Sequence, residues 1–537
     1  MEVGGLKLRP IRTRPPAASS EASVDAGELN GGLAQQPLNP NQRADADGSD
    51  ACTIPEPVTP AGRAFLDPSF NAHILVILGS KVPINVDALK SGLRETIIKH
   101  KRFSSIIRKS DKGELIWVPT SVNLDEHIIT AGGDTSSATF VEDYVAQLAQ
   151  APPLNASRPL FEFHVLRAKL GDAVENTVLR VHHALGDGTS LMSLLLSCTR
   201  KAADPNLLPT LPTQVYRSET KSSTWKAFGL LVWRFLLILW YTFLDVCSFI
   251  ATSLWLEDSQ TPLKGSLGVE KLPRRLAYWT VSMDDIRIVK RAIHGTVNDV
   301  VFGMVAAGLS RYLQQKYNEN LGSGDVATKK LLGSKRMVKN QQKFKERLAH
   351  LRVRACILVN TRPSPGLQEL EKMMKGGSQA RWGNEMGYVI LPVPLAAVEN
   401  PLEYVFKSKS ILDKKKQSLG APLSYKGATM LMNIIGSEMP TRLTLNCGAH
   451  TTLAFSNVSG PLEEVEFFGH RITHIIPTVV GQPQALCVHV QSYMGKATIV
   501  VTSAKDVIPD PERLCEHIVC ALHEMKESLP YEEKLEK

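Results

Sequence analysis

Short runs of β-branched and aliphatic residues alternate with helix-length stretches whose apolar positions recur every three or four residues, and the alternation begins near Pro55. NAHILVILG reads as a strand. VDALKSGLRETIIKH reads as an amphipathic helix with Leu89, Leu93, Ile97 and Ile98 on one face. SSIIRK and LIWVP follow as strands, VEDYVAQLAQAPP as a helix stopped by its prolines, and PLFEFHVLRAKL as a further strand. ENTVLRVHHALGDGTSLMSLLLS then runs strand, loop, helix. The β-formers Thr177, Val178, Leu179 and Val181 predict the strand, Gly186 and Gly188 the break, and Thr189 or Ser190 the cap of a helix carrying Leu191, Leu194 and Leu195.

The same texture resumes past residue 265. RRLAYWTVSM is a strand, MDDIRIVKRAIHG a helix from its acids to Gly295, and TVNDVVFGMVAAGLSRYLQQKY a second helix capped by Thr296 or Asn298. Its small residues Gly303, Ala306, Ala307 and Gly308 allow close packing or a narrow tunnel wall. LRVRACILVNTRP, GYVILPVPL, TLAFSNVSGP, ALCVHVQSY and KATIVVTSA read as strands, EYVFKSKSILDKKKQ as an amphipathic helix, and Asp510 to about Ser528 as the last helix. The fold class is therefore α/β: two tandem mixed α/β domains, 54–215 and 266–530, with a cleft between them suited to a ligand channel. Residues 1–53, rich in Pro, Ala, Ser, Gly, Asn and Asp, read as a disordered tail, and 531–537 as a short second tail.

Residues 216–265 break the pattern. Ala227 to Leu256 is the most apolar stretch, and Trp225, Trp233, Trp240 and Trp255 are four of the seven tryptophans of the chain. It is long enough to span a bilayer, which takes about 20 apolar residues. Yet every 20-residue window includes Arg234 or Asp245, and a charge at mid-membrane costs about 2.5–3.5 kcal/mol. A single crossing would also put the two domains on opposite sides of the membrane, where they could not share a site. A re-entrant hairpin with Asp245 near its turn, or an interfacial helix, is the favoured reading, over a true span or a buried linker.

At 537 residues with 43% hydrophobic content, the chain can build two cores of ordinary size. The net charge of +9 suits an anionic membrane surface or a phosphate-bearing substrate, and equally a merely soluble basic protein. The basic stretch Lys329 to Arg347 reads as a solvated segment or as a contact for lipid headgroups or phosphates; no aromatic platform accompanies it, which argues against nucleic acid. Eight scattered cysteines without a CxxC pair favour free thiols in a reducing compartment and no metal site. The opening residues show neither a charged-then-apolar leader nor the myristoylation pattern.

The chemistry concentrates at His182-His183 and Asp187-Gly188. A neutral imidazole can take a proton from a hydroxyl and return it to a leaving group, which suits acyl transfer to an alcohol. Adjacent strand residues face opposite sides, so only one histidine can enter a given channel and the other is structural. Asp187 either orients the ring or fixes the loop by pairing with an arginine, the second being favoured, and Gly188 leaves room for substrate.

VHHALGDG resembles the HHxxxDG signature of CoA-dependent acyltransferases and condensation domains. With SRPLFEFHVL, TVNDVVFG and FSNVSGP, in order and at compatible spacing, the chain resembles the plant-type wax ester synthase/diacylglycerol acyltransferase family over residues 55 to 530. Phe161 stands where that family has Trp, and Ser459 where it has Pro. The resemblance implies His183 as general base beside His182, Asp187 as a structural or orienting residue with Gly188, and Asn298, Asp299, Pro159 and Leu160 near substrate, Asn298 being a candidate oxyanion donor with a more ordinary role as a helix cap. It implies no metal and no cofactor, acyl-CoA and a fatty alcohol or diacylglycerol as substrates, and a membrane surface as partner. The expected location is the endoplasmic reticulum membrane with cytosolic catalytic domains, or the plasma membrane. A lipid-binding protein with a vestigial site, and an acyltransferase for a non-lipid alcohol or amine, are the competing readings.

Overall fold

The computed structural model describes residues 56–132, 135, 137–212, 225–322, 342, 344–361 and 382–530. Both expected tails, and the basic residues from Lys329 to Lys343, lie outside them.

The first half supplies strands β1 (Glu56–Pro57), β2 (His73–Ser80), β3 (Ser105–Lys109), β4 (Leu115–Pro119), β5 (Ile128–Thr130), β6 (Phe161–Leu166), β7 (Glu175–His182) and β8 (Arg200–Lys201). The second supplies β9 (Arg274–Ser282), β10 (Arg354–Asn360), β11 (Met386–Pro392), β12 (Leu453–Val458), β13 (Val465–Phe467), β14 (His470–Val480), β15 (Leu486–Tyr493) and β16 (Lys496–Ala504). One sheet has the order β5-β6-β7-β2-β14-β13-β8, a second β11-β10-β12-β15-β16-β9, and a small one β1-β4-β3. The α/β expectation holds. The partition at 54–215 and 266–530 is crossed, however, because β13 and β14 belong to the sheet of the first half. β14 runs antiparallel to β2 from Ile472↔Ser80 to Val480↔His73 and so covers an edge that β2 would otherwise expose. The described residues from Glu56 onward form one compact unit.

β2 is apolar almost throughout because both of its faces are covered. Ile74, Val76 and Leu78 share a core with helices α2 (Val86–Glu95) and α4 (Gly188–Ser197), while Leu75 and Ile77 share another with helix α3 (Phe140–Leu148), Leu276 of β9 and Val500 of β16. The second sheet packs on helix α7 (Val297–Gly322), which follows α6 (Met283–Ala292), and on the helix Pro511–Glu527. The small residues of α7 serve packing, not a tunnel. A Cβ on Gly303 would come within 3.0 Å of the Val405 backbone, and one on Gly308 within 2.9 Å of the Ile518 nitrogen.

The apolar segment is one unbroken helix, α5 (Trp225–Leu254), so the hairpin does not form. Its second half is fixed to the body along one face. Asp245 pairs with Lys415, the Leu419 N–H donates to Thr242 Oγ1 at 2.9 Å, and Arg354 reaches Thr252 from a buried pair with Asp258. Most of the described side chains in its first half are apolar and exposed, with Phe228 64% and Trp233 60% accessible, so it is no buried linker. Nor is it a single span: the halves it joins are hydrogen-bonded to each other through β2 and β14 and cannot lie on opposite sides of a bilayer.

Replacing Gly308 by Ala tests the packing of α7. Helix propensity favours Ala by about 1 kcal/mol. The Cβ cannot fit without moving the Ile518 backbone, and overpacking costs roughly 1–3 kcal/mol. Net destabilisation is expected, read as a lower denaturation midpoint in urea.

Candidate active site

β7 ends at His182, opposite His73 of β2 in the register. The two rings meet edge to face at 5.0 Å. His182 Nδ1 accepts from the Ala184 N–H at 3.1 Å, which leaves the proton on Nε2, facing Asn71 Oδ1 at 3.1 Å. Burial, and then the neighbouring His73, His183 and Arg180, hold its pKa well below the ordinary histidine value. His182 is thus a neutral strut with both ring nitrogens engaged.

His183 turns the other way. Its N–H donates to the Ala72 carbonyl at 3.0 Å, and its ring lies against Phe65 at 4.2 Å between centroids. Phe65 ends the short helix α1 (Pro60–Phe65). The ring is buried and Nδ1 has no hydrogen-bond partner. Burial lowers its pKa, and the Asp187 charge and the Asn384 amide work against that lowering. The free imidazole is therefore neutral at neutral pH and keeps an uncommitted ring nitrogen.

Asp187 is the N-cap of α4. Its Oδ1 accepts from the Ser190 N–H and from the Ser190 hydroxyl, each at 2.8 Å. The helix therefore starts two residues earlier than a Thr189 cap, or three earlier than a Ser190 cap, would place it, because a carboxylate satisfies the free N–H groups of a first turn and complements the helix dipole. Gly188 opens α4 with nothing within 4 Å of where a Cβ would stand, so there is space beside the loop.

The loop is held by residues that the sequence reading passed over. Asn384 Nδ2 donates to the carbonyls of His183 and Ala184 at 2.7 and 3.2 Å. Trp382 Nε1 and Arg102 Nη1 both donate to the carbonyl of Leu185, at 2.7 and 3.2 Å. Arg102 is only 1% exposed and pairs with Glu56. A side chain at Gly186 would meet the Trp382 indole at 3.0 Å. Three successive carbonyls of the HHxxxDG loop are thus clamped, two of the three clamping residues coming from the second half. The WGNE run just ahead of GYVILPVPL was the available signal: indole and amide donors beside a glycine, at the mouth of a strand.

The other expected residues lie elsewhere. Pro159 and Leu160 are buried at the start of β6, and Leu160 contributes a backbone carbonyl to the His182 N–H at 3.0 Å, which supports the strand end rather than a ligand. Phe161 fills the same core, stacked on His127 at 4.2 Å. Asp299 is fully buried and caps α7: its Oδ2 accepts from the Thr296 N–H at 2.7 Å while its own N–H donates to Thr296 Oγ1 at 3.4 Å. Asn298 is exposed and accepts from Asn457 Nδ2 at 2.6 Å, which joins the NDVV and SNVSGP stretches. Among the described residues, no cluster of three or more His, Cys, Asp or Glu is arranged to hold a metal ion.

The wax ester synthase/diacylglycerol acyltransferase catalytic domain matches residues 86–301, and the C-terminal domain of the same family matches 382–526. The chain belongs to this acyltransferase family. It is 40% identical to wax ester synthase/diacylglycerol acyltransferase 5 of Arabidopsis thaliana over 480 residues, which cover 86% of the chain and 91% of that protein. It is 39% identical to number 11 of the same plant, over 88% and 94%. The wax ester synthase/diacylglycerol acyltransferase from Marinobacter aquaeolei VT8 shares the fold, with a TM-score of 0.53 at 17% identity over 88% of this chain and 99% of that one.

Asp187→Asn and Asp187→Ala separate capping from charge. Asn caps about as well as Asp, whereas Ala costs about 1 kcal/mol. Urea unfolding is expected to weaken for Asp187→Ala more than for Asp187→Asn. Both remove a charge that raises the His183 pKa, so both are expected to move the acid limb of activity to lower pH.

Proposed function

We propose that the chain moves a long-chain acyl group from acyl-CoA to a fatty alcohol, to diacylglycerol, or to both, with His183 as general base. One observation carries the reading: of two adjacent neutral histidines, His183 alone keeps an uncommitted ring nitrogen, on a loop clamped by both halves of the chain. His183 takes the hydroxyl proton as the alcohol oxygen attacks the thioester carbonyl. The tetrahedral intermediate collapses, the C–S bond breaks, and the proton on the imidazole passes to the departing CoA thiolate. His182 and Asp187 hold the loop, and Gly188 leaves room beside it. Asn298 stays the candidate for contact with substrate, since it is exposed at the N-terminus of α7 and tied to Asn457; Asp299, Pro159 and Leu160 act behind it as structure.

The partner surface in this reading is a bilayer, met by the exposed first half of α5 as an interfacial helix. Helix Gly420–Ile435 adds a second apolar face, with Leu423, Met430, Leu431, Ile434 and Ile435 exposed at helical spacing. We assign the endoplasmic reticulum membrane, with the catalytic body in the cytosol.

His183→Ala is expected to lower ester formation by about 10²–10⁴-fold while the circular dichroism spectrum stays intact, measured with labelled acyl-CoA and a mixture of hexadecanol and dioleoylglycerol. The base is competent only when neutral, so activity is lost as pH falls through the His183 pKa. Because burial depresses that pKa, the acid limb of kcat/KM is expected below 6.5, the ordinary histidine value. Undiminished synthesis by the folded variant would remove His183 as base. Lipid binding by the wild type without CoA release would leave a binding protein only.

A further inference from the structure

Behind α5 lies a cavity of about 190 Å³, away from the histidine loop. Its walls come from the second half of α5, from α8 (Leu402–Lys416), α9 (Gly420–Ile435) and α10 (Glu438–Ala449), and from β11. Phe249 of α5 and Tyr388 of β11 pack against each other in its wall, 5.8 Å between ring centroids. Ile250, Leu423, Leu431 and Leu443 complete an apolar lining. Among the described residues its one cation, Lys415, is already paired with Asp245. A phosphate-bearing headgroup would find no free positive charge there; a neutral aliphatic chain would.

Two features fix the direction in which such a chain runs. Toward solvent, the helices that wall the cavity are those that expose the large apolar surface: Ile250 and Leu254 on α5, Leu431 and Ile434 on α9, Met439 on α10. Toward the interior, Met386 precedes Tyr388 by two residues and shares its strand face. Met386 packs in a small cluster with Phe65 and Phe70, and Leu445 of α10 lies against it. Phe65 is the ring that touches His183. Apolar side chains therefore lie in series from the exposed helices, past the cavity, to the cluster of Phe65 and Met386, with the imidazole against Phe65.

We propose that this cavity is the binding site for the aliphatic chain of the lipid acceptor, entered laterally from the bilayer, with Phe65 and Met386 as the contact that the acceptor parts to bring its hydroxyl to His183. The proposal rests on the acyltransferase reading above and adds where, and from which phase, the acceptor arrives. The acyl donor, which carries phosphates, uses a different approach. Gly427 lines the cavity, and a Cβ there would meet nothing within 4 Å, so a larger side chain fills the space without displacing backbone.

The test has two arms, both on the full chain in vesicles of neutral phospholipid. In the first, Gly427→Leu is compared with wild type using hexadecanol, hexanol and a series of acyl-CoA lengths. The variant is expected to lose about tenfold or more in kcat/KM with hexadecanol, against little change with hexanol and an unaltered acyl-CoA length preference. A change in acyl-CoA preference, or none with either alcohol, overturns the proposal. In the second, wild-type protein is photolabelled with a diazirine analogue of hexadecanol and digested for mass spectrometry. Adducts are expected at 245–250 and 423–431 and should be lost in Gly427→Leu; adducts confined to other segments overturn the proposal. Labelling of the cavity by a wild-type protein that transfers no acyl group to any alcohol would sink the acyltransferase reading and leave the site standing.

Discussion

The ladder between β2 and β14 is the constraint on which the rest depends. It places a strand from the far end of the chain beside β2, whose other neighbour is β7, the strand that leads into the histidine loop, so that the two halves are one body. Only on such a body can Trp382 and Asn384 reach the carbonyls of Leu185, Ala184 and His183. Each buried bond contributes about 1 kcal/mol net, but leaving such a group unmade costs roughly 1–3 kcal/mol. The asymmetry matters more than the sum, because it makes every alternative loop conformation expensive and so fixes where the imidazole stands.

Two adjacent residues of the same type then do different work because a strand alternates its faces. His182 shares a face with His73 and is used up: one ring nitrogen accepts from the backbone and the other meets an amide oxygen. His183 has comparable burial, and desolvation keeps both rings neutral, so charge does not distinguish them. Partners do. A base needs a lone pair not already engaged, and a nitrogen left unpaired in a buried setting is costly enough to call for a reason.

The elements with strong periodicity were legible from sequence: β2, α6, α8 and the strand–loop–helix around the histidines lie close to where their patterns put them, whereas α2 stops at Glu95 and Ile97 and Ile98, expected on its face, fall in a separate 3-10 turn. The missed parts have physical reasons. β14 carries Pro477 and alternates poorly, which argues against a strand inside a sheet. Proline is tolerated because, past Arg471, β14 has β2 as its ladder partner on one side while β13 has already ended. Arg102 and Asn384 look like ordinary polar loop residues, and only the tertiary fold turns them toward three carbonyls. The NDVV acid was read as near substrate, but local capping chemistry had a prior claim on Asp299. Helices α9 and α10 went unread because Gly420, Pro422, Gly427 and Pro440 punctuate them.

Asp245 shows how the same residue argues differently before and after its neighbours are known. In the sequence it is a charge that spoils a membrane helix and suggests a turn. In the fold, Thr242, Asp245, Phe249 and Thr252 fall three or four residues apart on one stripe, the stripe that meets the body. The acid is paired with Lys415 at the last turn of α8, where helix geometry favours a cation, and the pair is spared both full burial and lipid. With that stripe used for docking, most of the described apolar side chains in the first half of α5 stay exposed. A helix apolar on every side in water is unstable unless something apolar receives it. Residues 228–240, most of them exposed, rise roughly 20 Å along the helix axis, less than the about 30 Å of a bilayer core.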